Sequence, residues 1–172
     1  IGDETTPLYK ALTAATGTAP GWNFHKYLIG RDGKVVADFP SKTTPDDPAL
    51  TTAIERALAC EAAAAAGFDP FMPDACLINR YLPGSRLSLH QDRNERDFGQ
   101  PIVSVSLGVP ALFLWGGAQR ADKTRRIALL HGDVVVWGGP ARLRFHGVLP
   151  LPEAHHPLTC AHRINLTFRK AG

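Results

Sequence analysis

The sequence predicts a mainly β protein, a sandwich or jelly roll, preceded by a helix and a small α+β hairpin–helix segment. Three observations predict it. From residue 76 onward, eight short β-rich runs recur with Gly- and Pro-rich turn signals between them. Upstream lie one hairpin signal and one stretch of helical spacing. The closing run Arg163-Ile164-Asn165-Leu166-Thr167-Phe168-Arg169 alternates polar and apolar residues, as a strand between a core and a polar interior does.

Taken in order, Trp22 to Ile29 and Lys34 to Phe39 are β-rich runs flanking the turn Gly30-Arg31-Asp32-Gly33. Pro45-Asp46-Asp47-Pro48 opens a helix, with Asp47 as N-cap and Pro48 in its first turn. Leu50, Ile54, Ala57 and Leu58 follow at helical spacing, and Gly67 supplies a C-terminal stop. Strands are then expected near Cys76–Leu82, Arg86–Gln91, Ile102–Gly108, Ala111–Trp115, Arg126–Leu130, Asp133–Trp137, Leu143–Leu149 and Ile164–Lys170. Pro83-Gly84, Gly116-Gly117, His131-Gly132-Asp133 and Gly138-Gly139-Pro140 mark turns between them. Composition suggests two unlike pieces, residues 1–57 and 58–172, joined within the helix.

At 172 residues, with 44% hydrophobic and 20% charged residues, the chain has the make-up of a globular domain. No apolar run is long enough to span a bilayer, so no membrane partner is expected. The chain opens on Ile1 without a signal sequence and reads as a fragment of a longer product. Cys60, Cys76 and Cys160 are odd in number and far apart, which argues against a disulfide framework and for a reducing, cytoplasmic setting. Residues 1–57 carry six Lys/Arg and seven Asp/Glu, a net −1; residues 58–172 carry thirteen and nine, a net +4. That excess permits nucleic-acid binding without requiring it.

The chemistry concentrates in the second piece. His90-Gln91-Asp92 and the later His146 supply two imidazoles and a carboxylate, the ligand set of a non-haem Fe(II) oxygenase. Alternation puts Ser88, His90 and Asp92 on one face, and Arg144 on the face of His146. Leu77, Asn79 and Tyr81 share another face. In the closing run Arg163, Asn165, Thr167 and Arg169 share a face; in a barrel interior the two guanidiniums need an anion, which a dicarboxylate supplies. His155-His156-Pro157 reads as a loop, because adjacent side chains of an extended segment point opposite ways.

Several stretches carry a family resemblance. Pro73-Asp74-Ala75-Cys76-Leu77-Ile78-Asn79-Arg80-Tyr81, Leu87-Ser88-Leu89-His90-Gln91-Asp92, Pro101 to Gly108, His131 to Gly139 and Asn165-Leu166-Thr167-Phe168-Arg169 resemble the AlkB family of Fe(II)/2-oxoglutarate-dependent dioxygenases. The resemblance covers about residues 58–172 and implies a double-stranded β-helix. It implies Fe(II) held by His90, Asp92 and His146, and 2-oxoglutarate held by Arg163 and Arg169 with Asn79, Tyr81 and Asn165. It places Trp137 near the iron, and Arg120 and Asn94 near the substrate, where the relatives have aspartate in place of Asn94. It further implies a monomeric DNA-repair demethylase. Such an enzyme hydroxylates an alkyl group on alkylated DNA, preferably single-stranded, or on RNA, and releases formaldehyde, succinate and carbon dioxide. A related dioxygenase acting on a small molecule or protein, and a non-catalytic hybrid, are the alternatives.

The N-terminal nucleotide lid of that family is not matched here. Instead Thr6-Pro7-Leu8-Tyr9-Lys10, Trp22-Asn23-Phe24 and Leu28 to Val36 resemble the C-terminal part of a glutathione peroxidase, a thioredoxin-fold enzyme. The nucleophile of that family would lie upstream, so residues 1–57 are expected to have no peroxidase activity. Trp22 is expected as a core aromatic of the hairpin.

Overall fold

The computed structural model describes residues 7–30 and 32–172. Thr6 and Arg31, quoted above in the N-terminal resemblance and its turn, lie outside the described residues. The chain divides into two compact units, Ile1–Leu58 and Ala59–Gly172.

In the first unit, helix α1 (Pro7–Thr16) precedes an antiparallel hairpin of β1 (Lys26–Ile29) and β2 (Val35–Phe39). Helix α1 has no counterpart in the sequence reading, although Leu8, Ala11, Leu12 and Ala15 stand at helical spacing; Leu12 is its buried residue. Trp22 is 76% exposed, against the expectation of a core aromatic. It precedes β1 in a turn that continues into Phe24, whose φ of 65° breaks the extended run, so the strand starts at Lys26, four residues later than the sequence suggested.

Helix α2 (Pro48–Ala65) begins as its sequence requires: the Asp47 carboxylate accepts the Ala49 N–H at 2.8 Å. It ends at Gly67, with φ of +86°, where the Phe68 N–H donates to the Ala63 carbonyl at 2.9 Å. Only glycine reaches that left-handed conformation without a Cβ penalty.

The second unit holds eight strands in two four-stranded antiparallel sheets: β3 (Ala75–Tyr81), β4 (Leu87–His90), β5 (Ile102–Gly108), β6 (Ala111–Trp115), β7 (Arg125–Leu129), β8 (Val134–Trp137), β9 (His146–Val148) and β10 (Arg163–Arg169). The orders are β3-β10-β5-β8 and β4-β9-β6-β7. Strands from the two halves of the chain alternate within each sheet, the double-stranded β-helix form of a jelly roll. The central strand β10 explains the layering. Its Ile164, Leu166 and Phe168 face Val103, Phe71 and the C-terminal turns of α2, where Ala59 and Ala63 are almost fully buried. Small residues one helical turn apart let that helix approach the sheet closely. A second apolar cluster, Tyr81, Val109, Ala111, Phe113, Leu129, Val148 and Leu151, fills the other side.

Strand positions follow the sequence expectation with one substantial difference. Leu143–Leu149 is not one strand: β9 spans only His146–Val148. A short 3-10 turn at Gly139–Ala141 and an Arg144 N–H to Ala141 carbonyl bond carry the chain up to it. Glycine and proline at 138–140 favour that turn over extended pairing.

Candidate metal and dicarboxylate site

The metal triad is assembled by a bulge. On β4 and β9, Leu87 pairs with Val148 and His90 with His146, so three residue steps on one strand face two on the other. Gly147 lies under that bulge: a Cβ there would fall 2.6 Å from the Leu87 carbonyl oxygen. The bulge and the loop after β4 bring Asp92 back to the paired histidines, although Asp92 is on no strand and simple alternation does not place it.

His90, Asp92 and His146 offer ligand atoms all within 4.8 Å of one another. Nδ1 of His90 lies 2.9 Å from the Ser88 carbonyl and Nδ1 of His146 lies 3.0 Å from the Arg144 carbonyl. Each Nδ1 therefore carries a proton and donates it, which leaves each Nε2 as the atom that faces the site and would ligate a metal. Those Nε2 atoms point at the Asp92 carboxylate, at 3.7 Å and 3.4 Å. Burial pushes the Asp92 carboxyl up, but His146, Arg169 and His90 outweigh it and hold its pKa below the usual range. Two imidazole Nε2 atoms and an ionised carboxylate on one side of an open position suit a divalent metal of the Fe(II) type.

A buried ion network supports Asp92. Glu95, 5% exposed, bridges Arg142 Nη2 at 3.2 Å and Arg169 Nη1 at 2.5 Å. Arg142 also donates to the Asp92 backbone carbonyl at 2.7 Å and to the Gln100 carbonyl at 3.0 Å. Arg169 Nη1 reaches Asp92 at 3.5 Å. Glu95 and Arg142 are functional residues that the sequence reading missed. Neither lies on a periodic segment, and only the closeness of Glu95 to Asp92 in sequence could have drawn attention to it.

The polar face of β10 is inward and buried, as the alternation required. Opposite it on β5 stand Ser104 and Ser106, and on β3 stand Asn79 and Tyr81. The Asn165 amide donates to Ser104 at 2.7 Å and to the Val105 carbonyl at 2.9 Å, and its oxygen accepts from Thr167 at 3.0 Å. Asn165 is thus held among protein partners and organises this face. Asn79, half-buried, pairs in register with it.

Arg163 differs from Arg169. It is 2% exposed, donates through Nη2 to Ser106 at 3.1 Å and lies 5.0 Å over the Tyr81 ring. Its Nε and Nη1 have no hydrogen-bond partner, and among the described residues no carboxylate pairs with it. Burial lowers its pKa and raises that of Tyr81, with the two groups partly compensating each other. A buried cation with two orphan donors is costly alone and fits an anionic ligand group. The Trp137 indole N–H is a further buried donor without a partner, its ring 5.0 Å from that of His146. The other expected substrate residues are placed differently: Asn94 is exposed on the loop after Asp92, and Arg120 is exposed between β6 and β7.

A double-stranded β-helix with a two-histidine, one-carboxylate centre and a buried unpaired arginine on its interior face defines a 2-oxoglutarate-dependent Fe(II) oxygenase. Comparison with known proteins agrees. The 2OG-Fe(II) oxygenase superfamily profile matches residues 31–169, beginning within the N-terminal unit. The chain is 51% identical over 152 residues, 88% of its length, to "Alpha-ketoglutarate-dependent dioxygenase AlkB" of Escherichia coli, and covers 68% of that protein. It is 39% identical over 108 residues, 56% of its length, to "DNA N(6)-methyladenine demethylase ALKBH1D" of Arabidopsis thaliana, covering 24% of it. Against other bacterial relatives the chain spans about half their length. Among solved structures, OsALKBH1 superposes with a TM-score of 0.61 at 29% identity, covering 94% of this chain and 89% of that one. The chain belongs to the AlkB family of the 2OG-Fe(II) oxygenase superfamily.

Proposed function

We propose that this chain is the catalytic unit of a DNA-repair demethylase that removes alkyl groups oxidatively from nucleic-acid bases. The observation that carries the reading is Arg163, a buried cation without an anion on the polar face beside the metal triad. The relatives named as AlkB dioxygenase and as a DNA demethylase supply the substrate class.

His90, Asp92 and His146 would hold Fe(II), and Arg163, with Tyr81 and Asn79 beside it, would take the far carboxylate of 2-oxoglutarate. When bound, the iron and its cosubstrate supply the oxidation of an alkyl C–H bond, with succinate and carbon dioxide as coproducts. The chain's own residues do the rest. Backbone carbonyls of Ser88 and Arg144 hold both imidazoles in the ligating tautomer. Glu95 and Arg142 fix the Asp92 segment, and Arg169 stays on the two carboxylates. Phe113, Trp115 and Trp137 ring His146 and exclude water from it. Asn94, Arg120 and the Trp137 N–H are the substrate-side contacts of this reading.

The target base must leave its stack, so single-stranded alkylated DNA is the preferred partner and RNA a second one. The enzyme acts as a monomer in the cytoplasm, a reducing compartment in keeping with its three widely spaced cysteines. No helix among the described residues is long and apolar enough to cross a membrane. Residues 1–57 are a peroxidase-derived piece whose first downstream cysteine is Cys60, so it has no nucleophile for peroxide. The unit boundary at Leu58 and Ala59 supports this division.

The test is iron- and 2-oxoglutarate-dependent formation of succinate and formaldehyde, with and without a methylated oligonucleotide. Oligonucleotide-stimulated release of both is expected. Succinate that no nucleic acid stimulates would move the assignment to a small-molecule or protein substrate. No succinate from iron-loaded protein would remove the enzymatic reading.

A further inference from the structure

Cross-strand register places a row of three side chains on one face of the second sheet. His146 on β9 stands directly opposite Trp115 on β6, and Trp115 stands directly opposite Arg125 on β7. Opposed residues of antiparallel strands share a face. The row therefore runs from the metal centre to the sheet edge, about 10 Å across two strand spacings.

A second cation joins it. The Arg144 guanidinium lies over the Trp115 ring, 5.8 Å from its centroid. The backbone carbonyl of the same residue receives the Nδ1 proton of His146. Stacking on the indole restricts the guanidinium plane and leaves its N–H fork free for a bidentate acceptor. Arg125 and Arg144 are both exposed, and among the described residues no carboxylate lies within ion-pair distance of either. Residues 119–127 hold four cations, Arg120, Lys123, Arg125 and Arg126, against the carboxylate of Asp122, which is turned onto the Gln119 N–H at 2.9 Å. Free guanidiniums held within two strand spacings of a metal ligand match a ligand with closely spaced anionic groups.

We propose that Arg144, held on Trp115, and Arg125 form a phosphodiester clamp beside the metal centre that takes the backbone of a single nucleic-acid strand flanking the target nucleotide. The proposal rests on the nucleic-acid reading above. Trp115 is a positioning residue: it orients Arg144 and meets neither the metal nor the phosphate. Charge alone would leave the order of strand contacts open, but continuity with His146 fixes the clamp next to the nucleotide being oxidised.

The test is binding of a fluorescent methylated single-stranded oligonucleotide by the full chain across a salt series. Each phosphate contact contributes about 0.7 to the slope of log affinity against log salt for single strands. R125Q and R144Q are each expected to reduce the slope by about 0.7, and the double variant by about 1.4. R144K is expected to keep the slope of wild type and lose part of the affinity, because it retains charge without the planar fork. W115L should lower the affinity of wild type but add little to R144Q; W115F, which keeps an aromatic face, is the variant to use if W115L melts early. R80Q, on the outward face of β3, serves as a charge-matched control and should leave the slope alone.

If wild type demethylates the oligonucleotide while R125Q and R144Q keep its full salt slope, the clamp is wrong and the enzyme assignment stands. If wild type releases formaldehyde from no nucleic acid, yet binds metal and 2-oxoglutarate, the assignment falls and the clamp falls with it. A protein or small-molecule substrate recovered in that second case would count against the clamp in the same way.

Discussion

Replacing Arg163 with methionine should move stability in opposite directions depending on whether 2-oxoglutarate is present. Arg163 is 2% exposed, with Nε and Nη1 unpartnered. Each buried orphan donor costs about 1–3 kcal/mol. Against that relief stand the lost hydrogen bond to Ser106 and the lost stacking on Tyr81, about 1 kcal/mol each. Methionine is of similar length, is unbranched and fills the space without an orphan. The net effect is a gain centred on about 2 kcal/mol, within a range of about 0–4, for the ligand-free R163M variant. For a chain of this size a gain of about 2 kcal/mol raises Tm by about 4–8 °C. Wild type with cosubstrate at a hundred times its Kd gains about 2.7 kcal/mol, a rise of about 5–10 °C. R163M should gain almost none of it. Melting with Mn(II) as a redox-silent stand-in for Fe(II) measures both. The variant should melt above wild type without 2-oxoglutarate and below it with saturating 2-oxoglutarate. A variant that melts below wild type in the absence of ligand, or that keeps the ligand-induced shift, would refute the view that Arg163 is a strained cation awaiting a carboxylate.

Three further outcomes follow from the same geometry. Gly147→Ala should weaken Mn(II) binding in calorimetry by at least about tenfold, because its Cβ would meet the Leu87 carbonyl and displace the bulge that carries His90. Glu95→Gln should lower unfolding stability in urea by about 3–5 kcal/mol, since it leaves the buried Arg142 and Arg169 short of a carboxylate. Metal affinity should fall with it by about 10–100-fold, as Arg169 shifts onto Asp92. Asp74 has its pKa lowered to about 2, first by the Ala171 N–H and then by Lys170. Because the folded pKa is depressed, its tether on the C-terminal residues is fully present above the ordinary aspartate value of 3.8 and is lost as pH falls through about 2. Amide exchange at Ala171 should therefore rise over that interval in wild type and be high throughout in Asp74→Asn.

Much of this was legible in the sequence because it depends on local period. The eight strands announce themselves through turn glycines and alternation, and β10 reads correctly residue by residue. The metal triad was legible as a set of residue types, since two imidazoles and a carboxylate have few other uses together. How the triad is built was not. The bulge between Leu87 and His90 breaks the alternation that would have kept Ser88, His90 and Asp92 on one strand face, and a bulge adds a residue without a distinctive residue type. The Glu95–Arg142 contact spans 47 residues of chain, and no periodic pattern links its ends.

The two arginines of β10 show where the period argument stops. Alternation makes Arg163 and Arg169 equivalent: same strand, same face, both turned inward. Six residue steps separate their backbones, about 20 Å of strand. They therefore meet different surroundings. The loop after β4 delivers Asp92 and Glu95 to the Arg169 end, so that cation is neutralised by the chain itself. At the Arg163 end the strand faces Ser106 and Tyr81, which offer a hydroxyl and a ring but no charge. Arg169 can thus hold the metal-ligand carboxylate through Nη1 while its buried Nε, like Nε and Nη1 of Arg163, keeps an unused N–H for the proposed cosubstrate, so the period argument places both arginines correctly but not the unequal share of charge that each brings to that ligand.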